Sequence, residues 1–351
     1  MDESRIQGGT PPRSFLTVSV MRLGVLDVGS NTVHLLVVDA HPGAHPEPMR
    51  SEKTHLRLTE HLEGSRLTEA GIGQLVCAVT RAKAAATSAG CEELLAFATS
   101  ALRDADNSAT VLSRVRAETG VALQVMSGED EARYTFLAVR RWYGWSAGRL
   151  LVLDIGGGSL EVAAGRDEDP DIALSLPLGA GRLTRQRLTE NPPSRGELKA
   201  LADDLDAALT PIARRISEAG PYDLAVGTSK TFRSLARLAG AAPSSAGLRA
   251  RRTLTDVGLR QVFGFISRMA SADLATLSGV SAARAHQLVA GALVAGAAMR
   301  ALDIQELTIC PWALREGVIL RRLDSLGGPT AVRRPWPLTD RQRRRAVTIA
   351  R

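Results

Sequence analysis

The chain has 351 residues, 44% hydrophobic and 4% aromatic, so two domains with aliphatic cores are expected. Its three cysteines lie far apart, and none belongs to a Cys-x-x-Cys pair, which excludes the usual sequence patterns of a disulfide framework and of a zinc site. Much of the net charge of +7 comes from residues 332–351, where seven arginines accompany one aspartate, so it indicates a basic tail rather than a basic domain surface.

Both ends of the chain lack a periodic pattern. Residues 1–20 are predicted to be a disordered extension, with Met21 as an alternative start, and residues 327–351 a basic disordered tail. The tail could be a solvated end or could hold an anion non-specifically, and nothing predicts a specific nucleic-acid partner. Neither a signal segment nor a run near the ~18 apolar residues of a membrane span is present, so we expect a cytoplasmic protein.

Two similar segments indicate a duplicated domain. LGVLDVGSNTVHLLVVD begins at Leu23 and LLVLDIGGGSLEVAAG begins at Leu150, so Asp27 and Asp154 occupy matching places. Each segment has an apolar run, an acid, a short Gly/Ser turn and a second apolar run, which predicts a β-hairpin. A repeat of this length is typical of domain duplication rather than of a solenoid.

The remaining pattern alternates between helices and strands. The first hairpin is followed by a helix over 69–89, a strand over 94–98, a helix over 107–119, a strand over 121–126 and a helix over 129–142. The second is followed by helices over 195–219, 231–239, 257–270 and 282–301, with strands over 222–226 and 306–309. This alternation predicts an α/β fold with domains 21–145 and 146–326.

The two glycine turns predict a phosphate site. The first contains Gly29, Ser30 and Asn31, and the second contains Gly157, Gly158 and Ser159. Glycine lets the backbone approach a phosphate closely, and hydroxyl groups add donors. A plain hairpin turn explains either one alone, but two at matching places indicate loops that clamp one phosphate chain and its metal from both sides. Neither is a Walker A loop or a dinucleotide-binding fingerprint.

Three further segments carry polar groups at predicted element ends. Three acids, Glu129 to Glu131, begin a helix, where they either cap it or include a base that activates water. Arg103 follows the strand over 94–98 and is either a surface residue or a bidentate phosphate ligand. Thr228 and Ser229 follow the strand over 222–226 and could cradle a phosphate at a helix N-terminus.

As a set, these motifs resemble the exopolyphosphatase/guanosine pentaphosphate phosphohydrolase (Ppx/GppA) family over residues 22–326. The resemblance rests on LDVGSNTVHLL, AFATSALRDADN, SGEDEARYTFLAV, LDIGGGSLEV, GTSKTFRSLARL and PWALREGVIL, which occur in the family's order. It implies two ribonuclease H-like domains of the actin/Hsp70/sugar-kinase superfold around a central cleft. It also implies that Arg103 and Arg284 bind phosphate and that Lys53 lines the way in.

The resemblance also implies a metal-assisted hydrolysis. Glu131 matches the general base, Asp154 and Glu161 match acids that bind Mg²⁺ or Mn²⁺ and order the water, and Asp27, a further predicted metal ligand, faces them. Glu161 is thereby expected to have both a catalytic and a metal-binding role. Two positions depart from the family pattern: Lys230 replaces a small residue that is frequent there, and His61 replaces a frequent glycine.

The expected function is release of terminal orthophosphate from inorganic polyphosphate. The chain lacks the C-terminal helical domains of larger relatives, which favours short polymers. The alternatives are a guanosine pentaphosphate 5′-phosphohydrolase, a regulator that binds polyphosphate or (p)ppGpp without turnover, and a sugar or acetate kinase of the same superfold. Homodimers are implied by the resemblance alone.

Overall fold

The computed structural model describes residues 20–326 apart from 42 and 44, so both predicted tails lie outside the described residues. In the first half the strands are β1 (Met21–Val28), β2 (Thr32–Ala40), β3 (Arg50–His55), β4 (Leu62–Glu63), β5 (Arg66–Leu67), β6 (Glu93–Ala98) and β7 (Gln124–Val125). The helices there are α1 (Glu69–Ser88), α2 (Ser100–Arg103), α3 (Ser108–Thr119) and α4 (Gly128–Tyr143).

The second half is built from the same kinds of elements. Its strands are β8 (Leu150–Ile155), β9 (Leu160–Gly165), β10 (Ile172–Leu176), β11 (Leu224–Gly227), β12 (Thr253–Thr255) and β13 (Glu306–Ile309). Its helices are α5 (Ala180–Arg187), α6 (Arg195–Glu218), α7 (Lys230–Leu238), α8 (Asp256–Ile266), α9 (Ser271–Leu274), α10 (Leu288–Ala301) and α11 (Leu314–Leu326).

The two large sheets share one plan, which confirms the predicted repeat. The first has the order β3-β2-β1-β6-β7 and the second the order β10-β9-β8-β11-β13-β12. In each sheet three strands pair in antiparallel fashion, namely β1 to β3 in the first sheet and β8 to β10 in the second. The strand that opens each hairpin, β1 or β8, also pairs in parallel with β6 or β11. Each predicted glycine turn therefore joins the first two strands of its sheet.

The strands of each hairpin are apolar along their whole length because both faces of each sheet are covered. In the first sheet, Leu26 and Val33 belong to the core beneath α1 and α3, while Leu23 and Val25 face the opposite side. Alternate side chains of a strand point to opposite faces, so a sheet buried on both sides needs a continuous apolar run. This is why the sequence pattern here is unbroken rather than alternating.

Two helices cross between the halves. Phe136 and Val139 of α4 pack with Leu150 and Val152 of the second sheet, whereas α11 returns to the core of the first sheet. The helices themselves approach closely, since a side chain in place of Gly317 would overlap the Tyr134 backbone. The predicted domain limits at 21–145 and 146–326 stay a prediction, and these two helices tie the halves together.

Several sequence predictions of local structure were wrong or incomplete. The strand expected over 121–126 is only Gln124–Val125, and the helix expected over 282–301 begins as a 3₁₀ turn over Ala282–Gln287. Strands β3, β10 and β12 and helices α5 and α11 were not predicted. Among the described residues, no helix combines the length and apolar character that crossing a membrane requires.

Candidate active site

The two glycine turns meet face to face in the middle of the molecule. An added Cβ on Gly157 would lie 2.7 Å from Asn31 Nδ2 and 2.9 Å from Ser30 Cβ, and one on Gly158 would overlap Ser100. Ser30 and Ser100 hydroxyls are hydrogen-bonded at 3.0 Å. Only glycine fits at positions 157 and 158 in this approach, so these two glycines are required by packing as well as by any ligand.

A cleft of about 400 Å³ opens above the facing turns. Residues from both halves line it, which places Asp27 and Asp154 in one shared groove. Most of the site residues predicted from the sequence lie in its wall: Asp27, Gly29, Ser30, Asn31, Glu131, Asp154, Gly157, Ser159, Glu161, Ser229 and Arg284. Three predicted residues, Arg103, Gly158 and Thr228, lie behind that wall.

A pair of carboxylates occupies the second hairpin. Asp154 is the penultimate residue of β8, and Glu161 is its direct partner across the antiparallel ladder. The buried Thr228 hydroxyl donates a hydrogen bond to Asp154 Oδ2, and the Ser175 hydroxyl donates to Glu161 Oε1 at 2.8 Å. Burial and the neighbouring Asp154 raise the pKa of Glu161 to about 7, and burial also raises the pKa of Asp154. Both carboxyl groups are thus held in surroundings that disfavour their ionised forms.

This pair fits a magnesium-like ion that also binds substrate. Mg²⁺ usually takes one or two carboxylates and completes its shell with water and phosphate oxygens. Within residues 20–326, leaving aside 42 and 44, no group of three or more His, Cys, Asp or Glu side chains is placed to hold a metal. Two carboxylates plus phosphate oxygens satisfy the ion's preference, whereas a cage made of protein ligands alone is not present in that part of the chain.

Glu131 reaches the cleft from the first turn of α4. Ser127 caps this helix, its hydroxyl accepting a hydrogen bond from the Asp130 backbone amide at 3.1 Å. Arg103 Nη1 donates to Glu131 Oε1, and the same guanidinium also lies near Asp104. Burial and nearby Glu161 raise the pKa of Glu131, and Arg103 opposes that rise. A buried carboxylate with a raised pKa is a stronger base than an ordinary glutamate once it is ionised.

The first hairpin carries a different pair. Asp27 stands opposite His34 in the β1–β2 ladder, at the place that Glu161 occupies in the second hairpin. Arg315 Nη1 of α11 donates to Asp27 Oδ2 at 2.9 Å, and His34 Nε2 is hydrogen-bonded to the Ser51 hydroxyl at 2.8 Å. Burial lowers the pKa of His34 to about 2, so its ring is neutral. The role of Asp27 in metal binding stays a prediction.

Cationic side chains from both halves line the rest of the cleft. Lys53 and Lys230 are exposed at the mouth, one from each half, and the arginines lie deeper: Arg233, Arg284 and Arg315. Burial and the neighbouring arginines lower the pKa of Lys230. Such crowding of positive charge is costly without a bound anion, so the cleft is suited to a ligand with several negative charges.

Two of these cations were missed from the sequence. Arg233 and Arg315 stand inside the motifs GTSKTFRSLARL and PWALREGVIL, but neither was singled out. Arg233 Nε donates to the Thr228 carbonyl at 3.1 Å, and Arg315 is bonded to Asp27 across 288 positions of sequence. A helix prediction for residues 314–326 was the missing signal, since it would have placed Arg315 in the first turn of a returning helix.

Comparison with known proteins agrees with this geometry. The model of the Ppx/GppA phosphatase family matches residues 36–326. The chain belongs to the Ppx/GppA phosphatase family. It is 65% identical over 313 residues to Exopolyphosphatase 1 of Mycobacterium tuberculosis, covering 89% of this chain and 91% of that protein. It is 62% identical to Exopolyphosphatase 1 of Mycobacterium leprae, over 89% of this chain and 92% of the other.

Solved structures of family members have the same fold. A Ppx/GppA protein from Aquifex aeolicus is 25% identical, with a TM-score of 0.72 over 88% of this chain and all of that one. An exopolyphosphatase from Cytophaga hutchinsonii is 22% identical, with a TM-score of 0.79 over 87% of this chain and 98% of the other. The predicted fold class, α/β with duplicated ribonuclease H-like domains around a cleft, is confirmed.

Proposed function

We propose that this protein is an exopolyphosphatase, which releases the terminal orthophosphate of inorganic polyphosphate by attack of water. The observation that carries the proposal is the shared cleft, in which two facing glycine turns, four carboxylates and five cations surround one space. The high identity to proteins named Exopolyphosphatase 1 supports the same reaction.

The turns and the arginines would hold the polymer. Amides and hydroxyls of the turns face the terminal phosphoryl group, and cations near the mouth bind the following units. Phosphoryl transfer through a loose transition state needs positioning and charge neutralisation more than covalent help. Asp154 and Glu161 would hold Mg²⁺ or Mn²⁺, and the bound ion would neutralise charge on phosphate oxygens.

Glu131 would then act on water. Its carboxylate takes a proton from a water molecule as the water oxygen bonds to the terminal phosphorus. The bond from phosphorus to the bridging oxygen breaks, and that oxygen leaves with the electron pair on a polymer one unit shorter. Arg103, which contacts Glu131, would bind the phosphoryl group as charge develops on it.

The lining of the cleft favours a bare polyphosphate over a nucleotide. None of the described residues that line it is Phe, Tyr or Trp, so it offers no large aromatic face on which a guanine could stack. Hydrolysis of guanosine pentaphosphate on the same site remains the second candidate, because it shares the terminal phosphoanhydride. Binding of (p)ppGpp, a homodimer and a cytoplasmic location stay predictions from the sequence.

A phosphate-release panel tests the proposal. Purified protein is given tripolyphosphate, longer polyphosphates, guanosine pentaphosphate and ATP, each with and without Mg²⁺. We expect release from polyphosphates with Mg²⁺ and a loss of about 10²- to 10⁴-fold in Glu131→Gln, which keeps size but cannot accept the proton. Near-parental release by Glu131→Gln would refute the assigned base. Faster release from guanosine pentaphosphate than from any polyphosphate would favour the second candidate.

A further inference from the structure

A second cavity, of about 430 Å³, lies behind the floor of the cleft. It is bordered by Arg103, Asp104, Gly128 and Glu129 on one side and by residues 173–177 of β10 and its end on the other. Ser159, which follows the second glycine turn, lines both this cavity and the cleft. The two spaces therefore adjoin at the place where the terminal phosphoryl group would be cleaved.

Side-chain contacts and the backbone at Gly128 separate the two spaces. On one side the partition is the Arg103–Glu131 ion pair, whose arginine lines the second cavity while its glutamate lines the cleft. On the other side Ser175 lines the second cavity and donates to Glu161, which lines the cleft. Gly128 packs directly against Ser175, leaving room for no side chain. Rotation of Arg103 away from Glu131 would open the side of the partition that their ion pair forms.

The two mouths differ in charge. The cleft presents Lys53 and Lys230 at its mouth and arginines deeper, which attract a polyanion. The charged residues of the second cavity are Arg103, Asp104 and Glu129, and its two acids are paired with Arg182 and Arg133, so this opening lacks the surplus of cations that the cleft has. Such an opening does not attract a long polyanion, whereas a single small phosphate bound by one arginine can still pass and is not retained.

We infer that the second cavity is the exit for orthophosphate, and that Arg103 carries the product through the partition. This inference rests on the proposed function. After cleavage the shortened polymer still fills the cleft and blocks the way that the substrate entered. Release at the back lets the polymer stay bound and advance by one unit, so substrate and product need not exchange places between cleavages.

The test compares cleavage with the appearance of free phosphate in a single turnover. Cleavage of a defined polyphosphate is followed by rapid acid quench, and free orthophosphate by a fluorescent phosphate-binding sensor. Two variants alter only the outer rim of the second cavity. Pro177→Trp enlarges an exposed residue over the opening, and Glu129→Lys puts a cation where it would hold the leaving phosphate.

Glu69→Lys is the matched control. Glu69 is an exposed acid in the first turn of α1 and forms an ion pair with Arg114, as Glu129 does in α4 with Arg133. It lines neither the cleft nor the second cavity. The same charge reversal at a helix N-terminus is therefore made where no phosphate passes.

In the parent and in Glu69→Lys we expect free phosphate to follow cleavage closely. In at least one rim variant we expect the half-time of its appearance to lag cleavage by about threefold or more, the scale of one partly exposed charge contact. Coinciding cleavage and release in both rim variants would overturn the exit, and so would an equal lag in Glu69→Lys. Absence of any cleavage in the parent would refute the proposed function instead.

Discussion

The two hairpins share a backbone plan but differ in the side chain that faces the aspartate across the ladder. In the first, Asp27 faces the neutral His34 across the ladder and is paired with Arg315. In the second, Asp154 faces Glu161, and their mutual repulsion adds to burial in raising the pKa of Glu161. One exchange at a matched register position, histidine for glutamate, separates an aspartate beside a neutral ring from an aspartate beside a second carboxyl group.

This difference explains how a duplicated fold acquires two functions. Unneutralised buried carboxylates are costly, so they persist where a cation or a proton compensates them during function. The second hairpin is therefore suited to a metal, and the first to fixing a turn against the phosphate. The repeat determines the backbone shape of each hairpin, whereas the side chain opposite the aspartate determines its chemistry.

The largest expected effect separates the two aspartates by metal dependence. Asp154→Asn removes a proposed ligand, so we expect the Mg²⁺ concentration for half-maximal release to rise by more than the ~10–100-fold typical of outer-sphere partners. Asp27→Asn should lower turnover but leave that concentration within a few-fold of the parent. Titrations of phosphate release against Mg²⁺ measure both. An equal shift in both variants would show that the hairpins share the metal.

The second prediction concerns the stability of the metal-free protein. Glu161 has a folded pKa of about 7 against an ordinary 4.5, so its ionised form opposes folding above pH 7 and this cost disappears as pH falls from 7 towards 4.5. Glu161→Gln should therefore raise the free energy of unfolding at pH 8 by as much as about 3 kcal/mol, with no gain at pH 4.5. Denaturant titrations in chelator at both pH values test this, and a destabilised variant at pH 8 would contradict it.

The third prediction concerns His34, the counterpart of Glu161. Its folded pKa of about 2 lies below the ordinary 6.5, so above pH 6.5 its titration does not affect stability. Below that pH the unfolded chain binds a proton that the folded protein excludes. Stability should fall by about 2 kcal/mol by pH 5 on this account. His34→Gln can keep the Ser51 contact, and it should make the fall of the free energy of unfolding with decreasing pH less steep by the slope that one bound proton contributes. An unchanged slope would mean that His34 is protonated in the folded protein.

The hairpins and their turns could be predicted from the sequence because their signal is local. An apolar run, an acid and a glycine turn lie within 17 residues, and the repeat supplies a second copy. The opposition of Asp154 and Glu161 follows from the turn length in the same way. The assembled fold and the family order of six motifs then indicated which loops face one another.

The cations could not be placed in the same way. Arg315 reaches Asp27 because α11 returns to the first sheet, a contact that no local pattern encodes. The partition beside Arg103 depends on β10, which was not predicted and which brings Ser175 to Glu161. Charges that act across long sequence separations are set by packing, so they appear only when the sheets are assembled.

The smallest expected effect is the coupling of Asp27 to Arg315, and it tests whether Arg315 neutralises the aspartate of the first hairpin. The two side chains are 16% and 23% exposed, so water screens their attraction in part, and a double-mutant cycle should give about 1 kcal/mol. Asp27→Asn leaves the Arg315 charge without its partner, and Arg315→Gln leaves the Asp27 carboxylate without its partner. The losses of stability in the two single variants should therefore add up to more than the loss in the double variant. Because Arg315 belongs to α11 and Asp27 to β1, a coupling near zero would mean that α11 is held to the first sheet by its apolar face and by the Arg322–Glu93 ion pair, without help from Arg315. In that case Asp27 would be free to join the carboxylates of the second hairpin around one ion, and the contrast between the hairpins would fail.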